Sequence, residues 1–253
     1  MSRSPCPAHV PDALRRLLLA GSAGMLLAPG RGRAQPALQA ALLQFPRDHG
    51  SHPQAQTEWW YTTGHGRALH AGQMRTFGFQ LTFFRARVQP TQGMRSRFAA
   101  QQLLFAHAAV ADIGAQRFWH DQRIARAGFE VAGAREDGTT IRIRDWTLVR
   151  EGDGSYTARL PAQGFGLALR LQPTQPLLVQ GAQGLSRKGP DPRHFSHYYS
   201  QPQLAFEGEI MLGGQRIAVR GDGGRGPATA DAAGGAAWYD HEWSDGLMPE
   251  DAT

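Results

Sequence analysis

Apolar residues in the central part of this chain recur at every second position, and this pattern constrains the fold more than any other feature. The clearest run is Phe77, Phe79, Leu81 and Phe83, which alternate with Gly, Gln and Thr. Successive side chains of a β-strand point to opposite faces, so the spacing predicts a strand with one face on a core and one in water. Similar runs occupy residues 141–148, 165–171, 204–206 and 217–219.

Short clusters of turn-forming residues separate these runs, at 136–138, 151–154 and 212–214. Strand–turn–strand at this spacing is typical of an antiparallel barrel or sandwich, so we predict an all-β antiparallel fold. Residues 101–110 fit either a strand or a helix, and we interpret them as a strand. The segments 181–193 and 221–235 are rich in Gly, Pro or Ala, which predicts loops.

The N-terminus has the pattern of an export signal. Arg15 and Arg16 precede an apolar stretch that ends at Ala28, and small residues favour cleavage after Ala34. We therefore predict a signal peptide over 1–34 and a periplasmic or secreted protein. The paired arginines resemble a twin-arginine signal; Sec export and a short amphipathic helix are the alternatives. No segment is long and apolar enough to predict a stable membrane span.

The basic excess of the chain does not predict a nucleic-acid partner. Residues 1–34 contain five of its 27 basic side chains but one of its 21 acidic ones. The positive and negative charges of the remaining residues are therefore nearly balanced. Arginine pairs remain at 85/87, 95/97 and 142/144, and their spacing places each pair on one strand face, which we expect to be solvated. The single cysteine, Cys6, lies in the leader, so the body has no thiol.

The first cluster that could carry chemistry is Glu58, Trp59, Trp60 and Tyr61. Strand alternation places Trp59 and Tyr61 on one face, and Glu58 and Trp60 on the other. Such a segment can line a cavity or simply pack a core. A carboxylate among indoles would have a pKa raised by desolvation, which suits acid catalysis.

A second cluster lies at residues 195–200, where Tyr198 and Tyr199 stand next to each other in a predicted strand. One of the two must point inward and the other outward. The segment is either a strand with a polar rim or a pocket wall with hydroxyl donors.

The third cluster is Trp-Tyr-Asp-His-Glu-Trp at 238–243. Alternation places Asp240 and Glu242 on one face, and His241 and Trp243 on the other. His241 could donate a proton near neutral pH. We predict no metal site, because the histidines at 65, 70, 107, 120, 194 and 197 do not have the spacing of metal ligands. No G-x-S-x-G elbow, phosphate loop or dinucleotide fingerprint occurs, and we predict no cofactor.

Together, Glu-Trp-Trp-Tyr-x-x-Gly (58–64), Lys-Gly…Ser-x-Tyr-Tyr-Ser (188–200) and Trp-x-Asp-His-Glu-Trp (238–243) resemble the carotenoid 1,2-hydratase/AttH-like family of lipocalin-like, predicted secreted hydrolases. The resemblance implies two consecutive lipocalin-like barrels, the first over residues 57–248 after an N-terminal segment, 35–56. Hydratases of this family add water to the terminal double bond of an acyclic carotenoid without a cofactor. The resemblance implicates His241 and Trp243 in that chemistry.

Three functions stay open at this stage: a hydratase of a long apolar molecule, a non-catalytic lipid-binding accessory with a transporter partner, and an inactive fragment. The resemblance places further functional Tyr and Asp residues and the second barrel beyond Thr253, so 249–253 would be a truncated tail. It also makes 221–235 look inserted. The candidate catalytic residues are Glu58, Asp240, His241 and Trp243. The candidate ligand-binding residues are Trp59, Trp60, Tyr61, Tyr198, Tyr199 and Trp238.

Overall fold

The computed structural model describes residues 41–191, 194–224 and 234–246. The signal-peptide prediction, the tail at 249–253 and the centre of the loop at 221–235 lie outside them. Within the described residues there are two 3-10 turns, Arg47–His49 and Gln89–Thr91, and fourteen strands. The strands are β1 (Thr57–His70), β2 (Gln73–Arg87), β3 (Gln102–Asp112), β4 (Arg117–Arg126), β5 (Ala132–Ala134), β6 (Thr140–Ile143), β7 (Trp146–Arg150), β8 (Tyr156–Pro161), β9 (Phe165–Gln172), β10 (Leu178–Val179), β11 (Leu185–Arg187), β12 (Phe195–Leu212), β13 (Gln215–Gly221) and β14 (Ala236–Ser244).

All fourteen described strands belong to one antiparallel sheet, in the order β4-β3-β2-β1-β13-β12-β9-β8-β7-β6-β5. The strand β14 pairs with both β1 and β12, while the short strands β10 and β11 add to β12. The all-β antiparallel prediction is confirmed, and residues 102–112 form the strand β3 that we preferred there. No helical turn in the described residues is long or apolar enough to cross a membrane.

The core is built from the alternating runs. Phe77, Phe79, Leu81 and Phe83 of β2 are all buried, and so are the alternate apolar residues of β6 to β9. Burial of each large apolar side chain stabilises the fold by about 1.5–3 kcal/mol. Their shared face therefore fixes the register of the sheet, because a slip of one residue would turn every one of them to solvent.

The strands β13 and β14 pair with β1 one after the other along its length. Arg220 at the end of β13 pairs with Arg67 of β1, and Ala236 at the start of β14 pairs with His65. Only Gly66 lies between these two β1 positions, so the end of β13 and the start of β14 are next to each other along β1. A Cβ on Gly66 would lie 2.5 Å from the Arg220 carbonyl oxygen, which explains the glycine.

Two sequence expectations need correction. The segment 181–193, predicted as a loop, contains β11, which pairs with residues 195–197 of β12. Arg85, expected on a solvated face, is fully buried on β2. Arg142 and Arg144 are exposed as expected, but Arg144 lies in the turn between β6 and β7, and Arg95 and Arg97 lie outside the strands. The charge of Arg85 is tolerated in the interior because a buried carboxylate faces it.

Candidate active site

A fully buried carboxylate, Glu58, is the centre of a polar network where β1, β2 and β14 meet the segment before β1. Its Oε2 accepts hydrogen bonds from Ser51 Oγ at 2.8 Å, from the His52 backbone N–H at 2.9 Å and from Arg85 Nε at 2.9 Å. Its Oε1 accepts from His52 Nδ1 at 2.8 Å and from His241 Nε2 at 2.9 Å. Five donors thus compensate the loss of water around this charge.

The pairing of β1 with β2 and β14 brings Glu58 and its partners together. Glu58 pairs with Arg85 on one side and with Trp243 on the other, and Trp60 pairs with His241. Because both neighbours run antiparallel to β1, side chains of the same face gather at one depth in the sheet. Glu58, Trp60 and their inward partners therefore meet beneath the β1–β14 pair.

Glu58 and Arg85 form a buried ion pair, with both side chains fully excluded from solvent. Arg85 Nη2 also donates to the carbonyls of His52 at 2.7 Å and Ala55 at 3.0 Å. Burial by itself would raise the pKa of Glu58, but its hydrogen bonds to His241 and His52 hold that pKa well below its usual range. Glu58 is therefore ionised, contrary to the raised pKa expected for it.

His52 bridges two carboxylates. Its Nδ1 faces Glu58 Oε1 at 2.8 Å and its Nε2 faces Asp48 Oδ1 at 3.1 Å. Ionised carboxylates only accept hydrogen bonds, so both ring nitrogens must carry a proton, and only the imidazolium has two. Burial would lower the pKa of His52, but the hydrogen bonds to Asp48 and Glu58 outweigh it and raise that pKa.

His241 continues the network inward. Its Nε2–H donates to Glu58, which leaves Nδ1 to accept the Tyr199 hydroxyl at 3.2 Å. That hydroxyl also lies 3.0 Å from His49 Nδ1. Burial lowers the pKa of His241 and that of His49, the latter to about 4, and raises the pKa of Tyr199 well above its usual value. These three groups are therefore neutral at neutral pH.

Aromatic rings enclose the network. His52 lies flat on Trp243, with ring centroids 3.6 Å apart and planes 6° apart, and His197 stacks on Trp243 at 5.3 Å. Trp60 stacks on His241 at 5.0 Å. These contacts fix the orientation of both imidazoles that bond to Glu58.

A cleft of about 260 Å³ reaches the network from the surface. Asp48, His52, His197 and Trp243 line it, together with residues from the chain segment 41–44. Glu58 and His241 do not line this cleft. The charged groups that a molecule in the cleft meets first are therefore Asp48 and His52.

Ligand atoms of His52, Glu58 and His241 lie within 4.8 Å of one another, a separation that a metal ion could bridge. Their bonding does not fit a metal. Both nitrogens of His52 face carboxylate oxygens and so carry protons, and Arg85 already compensates the charge of Glu58. The ligand atoms are instead engaged in hydrogen bonds with one another and with Asp48.

The opposite face of β14 carries a second polar cluster. Asp240 Oδ1 accepts from Trp238 Nε1 at 2.7 Å, from Tyr198 Oη at 3.0 Å and from Ser200 Oγ at 2.6 Å. Next to it, Glu242 contacts the amine of Lys188 and the hydroxyl of Ser196. The cluster ties β14 to β12 and to the chain that follows β11.

The structure brings five of the predicted site residues together: Glu58, Trp60, Tyr199, His241 and Trp243. Asp240, Trp238 and Tyr198 gather on the other face of β14. Trp59 and Tyr61 lie on the other face of β1, where the ring of Trp59 lies parallel to that of Phe84, with centroids 6.0 Å apart. The sequence interpretation missed the network residues Asp48, His49, Ser51, His52, Arg85 and His197.

The signal that could have found part of this set was the run Asp48-His49-Gly50-Ser51-His52, six residues before Glu58. It belongs to the segment 35–56, which the sequence interpretation separated from the barrel. In the structure, the 3-10 turn Arg47–His49 bends this segment back so that its polar side chains reach β1.

Comparisons with known proteins agree with this architecture. The model of the AttH-like family matches residues 36–253. The chain belongs to the AttH-like family. A solved protein from Nitrosomonas europaea, assigned as an AttH, is 39% identical with a TM-score of 0.70; the match covers 86% of this chain and 60% of that one. The lipocalin-like prediction is thereby confirmed.

Kievitone hydratase from Nectria haematococca shares the fold with a TM-score of 0.56, at 10% identity. That match covers 82% of this chain and 53% of the hydratase. The chain therefore spans less than two thirds of the length of either solved protein. A search of curated proteins found no significant match.

Proposed function

We propose that this AttH-like chain carries the acid half of a hydratase that adds water to a carbon–carbon double bond of a long apolar molecule, such as an acyclic polyene. The observation that carries the proposal is the network in which Glu58 joins two imidazoles, one charged and one neutral, beneath a cleft. Protonation of an alkene needs a positioned acid that is charged at working pH, and an imidazolium held by carboxylates can serve as one.

The chemistry that we propose fits the surroundings of the network. Protonation of a branched alkene leaves a tertiary cation, and the face of an aromatic ring stabilises positive charge. In this site Trp243 stacks on His52 and His197, so it stabilises the charged ring of the acid itself, and burial keeps bulk water away from the polar groups behind it. Capture of the cation by water then completes the addition, with no cofactor required.

The proposal includes export. The arginine pair and apolar stretch of residues 1–34 support delivery to the periplasm or beyond, where a lipid or polyene would be met in a membrane or on a carrier protein. Detection of uncleaved Met1 on the exported protein would contradict the cleavable signal.

The direct test is to incubate the purified protein with acyclic polyenes and unsaturated lipids in isotopically labelled water. We expect a product heavier by one labelled water, and His241→Ala should abolish it, because this change breaks the link between Glu58 and Tyr199. His107→Ala, at an exposed position of β3, is the control. Absence of labelled product with every substrate would contradict the proposal.

One observation favours the alternative, a lipid-binding accessory without catalysis. Trp59, Phe84, Phe105 and Ile124 pair in register across β1 to β4 on the face away from the core. Ile124 is exposed and the three aromatic residues are half-buried. This apolar row offers a surface for an acyl chain or a partner protein. Ligand binding that Trp59→Ala weakens, without any turnover, would support this alternative.

A further inference from the structure

The two histidines that bond to Glu58 differ in their access to solvent. The side chain of His241 is 0% exposed, whereas those of His52 and Asp48 are 11% and 13% exposed and line the cleft. A group that protonates a substrate must come within hydrogen-bond distance of it. His241 cannot meet this requirement through the cleft, but His52 can.

Two hydrogen bonds keep His52 charged, as described above: one to Asp48 and one to Glu58, which force both ring nitrogens to carry protons. Its flat stack on Trp243 fixes the plane of the ring. A charged, oriented imidazolium at the wall of a cleft has the features of a general acid.

We propose that the Asp48–His52 pair is the acid that protonates the substrate, and that His241 is a positioning residue that acts through Glu58. This inference rests on the proposed hydration. It assigns the proton donor to the segment before β1 and not to the motif on β14. The sequence interpretation had placed that segment outside the site.

The transfer balances as follows. The alkene takes the place of Asp48 Oδ1 at the Nε2–H of His52. This N–H bond then breaks and its electron pair stays on nitrogen, while the alkene π pair forms the new C–H bond. A carbocation remains on the adjacent carbon, and a water oxygen adds to it. The surplus proton of that water returns to the neutral His52, with Asp48 accepting a hydrogen bond from the water. The net change is the addition of one water, and the acid is restored.

The charged and titratable groups that face His52 come from its own segment and from four strands. Asp48 lies on the same segment, Glu58 on β1, His241 on β14 and His197 on β12, and Arg85 of β2 contacts His52 through its backbone carbonyl. The two carboxylates favour the imidazolium, and the positive charge of Arg85 opposes it. Removal of Asp48 should therefore lower the pKa of His52.

The test compares His52→Gln, Asp48→Asn and the control His120→Gln, an exposed histidine of β4. With a polyene that the wild type hydrates, we expect His52→Gln to lose at least about 100-fold in rate. Asp48→Asn should keep part of the rate, and its loss of activity with rising pH should begin at lower pH. His120→Gln should behave as the wild type. A merely structural role would lower the rate without moving the pH profile.

A measurement independent of turnover is nuclear magnetic resonance of the ring-labelled histidines, with His52→Gln identifying the His52 signal. We expect this signal to titrate above 6.5, to respond to an added polyene and to move down in Asp48→Asn. Unchanged turnover in a folded His52→Gln protein, or a His52 signal that titrates below 6.5, overturns the proposal. If the wild type turns over nothing, the proposed hydration fails and the acid role of His52 fails with it, whereas the titration still shows whether His52 is charged at the cleft.

Discussion

Both faces of β14 carry aromatic and ionisable side chains, but the surroundings of the two faces differ. On the inner face, His241 and Trp243 are buried and join a network that includes the ion pair of Glu58 and Arg85. On the outer face, Asp240 accepts three hydrogen bonds from its neighbours, and Glu242 contacts a partly exposed lysine. Charges on the inner face are costly to separate, whereas Asp240 on the outer face is only half-buried and the buried Glu242 contacts a lysine that water reaches.

This difference shows that residues that are consecutive in a sequence motif need not belong to the same site in the structure. Strand alternation sends the four residues of Asp-His-Glu-Trp in two directions, so two of them serve the buried network and two connect β14 to β12. The predictions below test this division, from the largest expected effect to the smallest.

The largest effect is expected for Glu58→Ala on the inner face. The change leaves the Arg85 guanidinium buried without its carboxylate and should lower the free energy of unfolding by about 3–5 kcal/mol. Urea denaturation followed by tryptophan fluorescence measures this loss. Combining Glu58→Ala with Arg85→Met should recover part of it, and a double variant that is no more stable would contradict the buried-pair interpretation.

The next effect is acid sensitivity of the inner face. The pKa of His49 is lowered to about 4 by burial, so the unfolded chain binds this proton more readily than the folded one. The resulting stability is complete above pH 6.5 and is lost as the pH falls from 6.5 towards 4, by at most about 3 kcal/mol. The lowered pKa of His241 acts in the same direction, whereas the raised pKa of His52 acts only above 6.5.

Thermal melts from pH 8 to pH 4 should therefore show the wild type losing stability below about 6.5. His49→Gln, which keeps a donor towards Tyr199, should make the slope shallower. The control is His65→Gln on an exposed position of β1, and an equal slope in all three proteins would argue against His49 as the source.

The smallest effect is expected on the outer face. Asp240→Ala leaves the donors of Trp238, Tyr198 and Ser200 without their acceptor, which should cost about 2 kcal/mol because water can replace part of the loss. Asp240→Asn retains an acceptor oxygen and should cost less. Neither change should alter the pH at which His52 titrates; a shift would mean that the two faces are coupled.

The sequence by itself determined the strands and the faces of their side chains. The run at 77–83, the opposite orientations of Tyr198 and Tyr199, and the division of 238–243 between two faces all follow from the period of two. The family also followed from the sequence, because three short motifs keep their order and spacing. These features are local, because the alternation of side chains depends on the geometry of each strand and not on the strands beside it.

Only the tertiary structure decided which charges meet. Arg85 follows the same period as its solvated counterparts, and its burial depends on Glu58, 27 positions earlier, lying opposite it in the ladder. The 3-10 turn of residues 47–49 places Asp48 and His52 against β1 and β14, although nothing in the alternation marks that segment. Protonation is likewise decided by partners, because an imidazole between two carboxylates holds two protons wherever its residue lies in the chain.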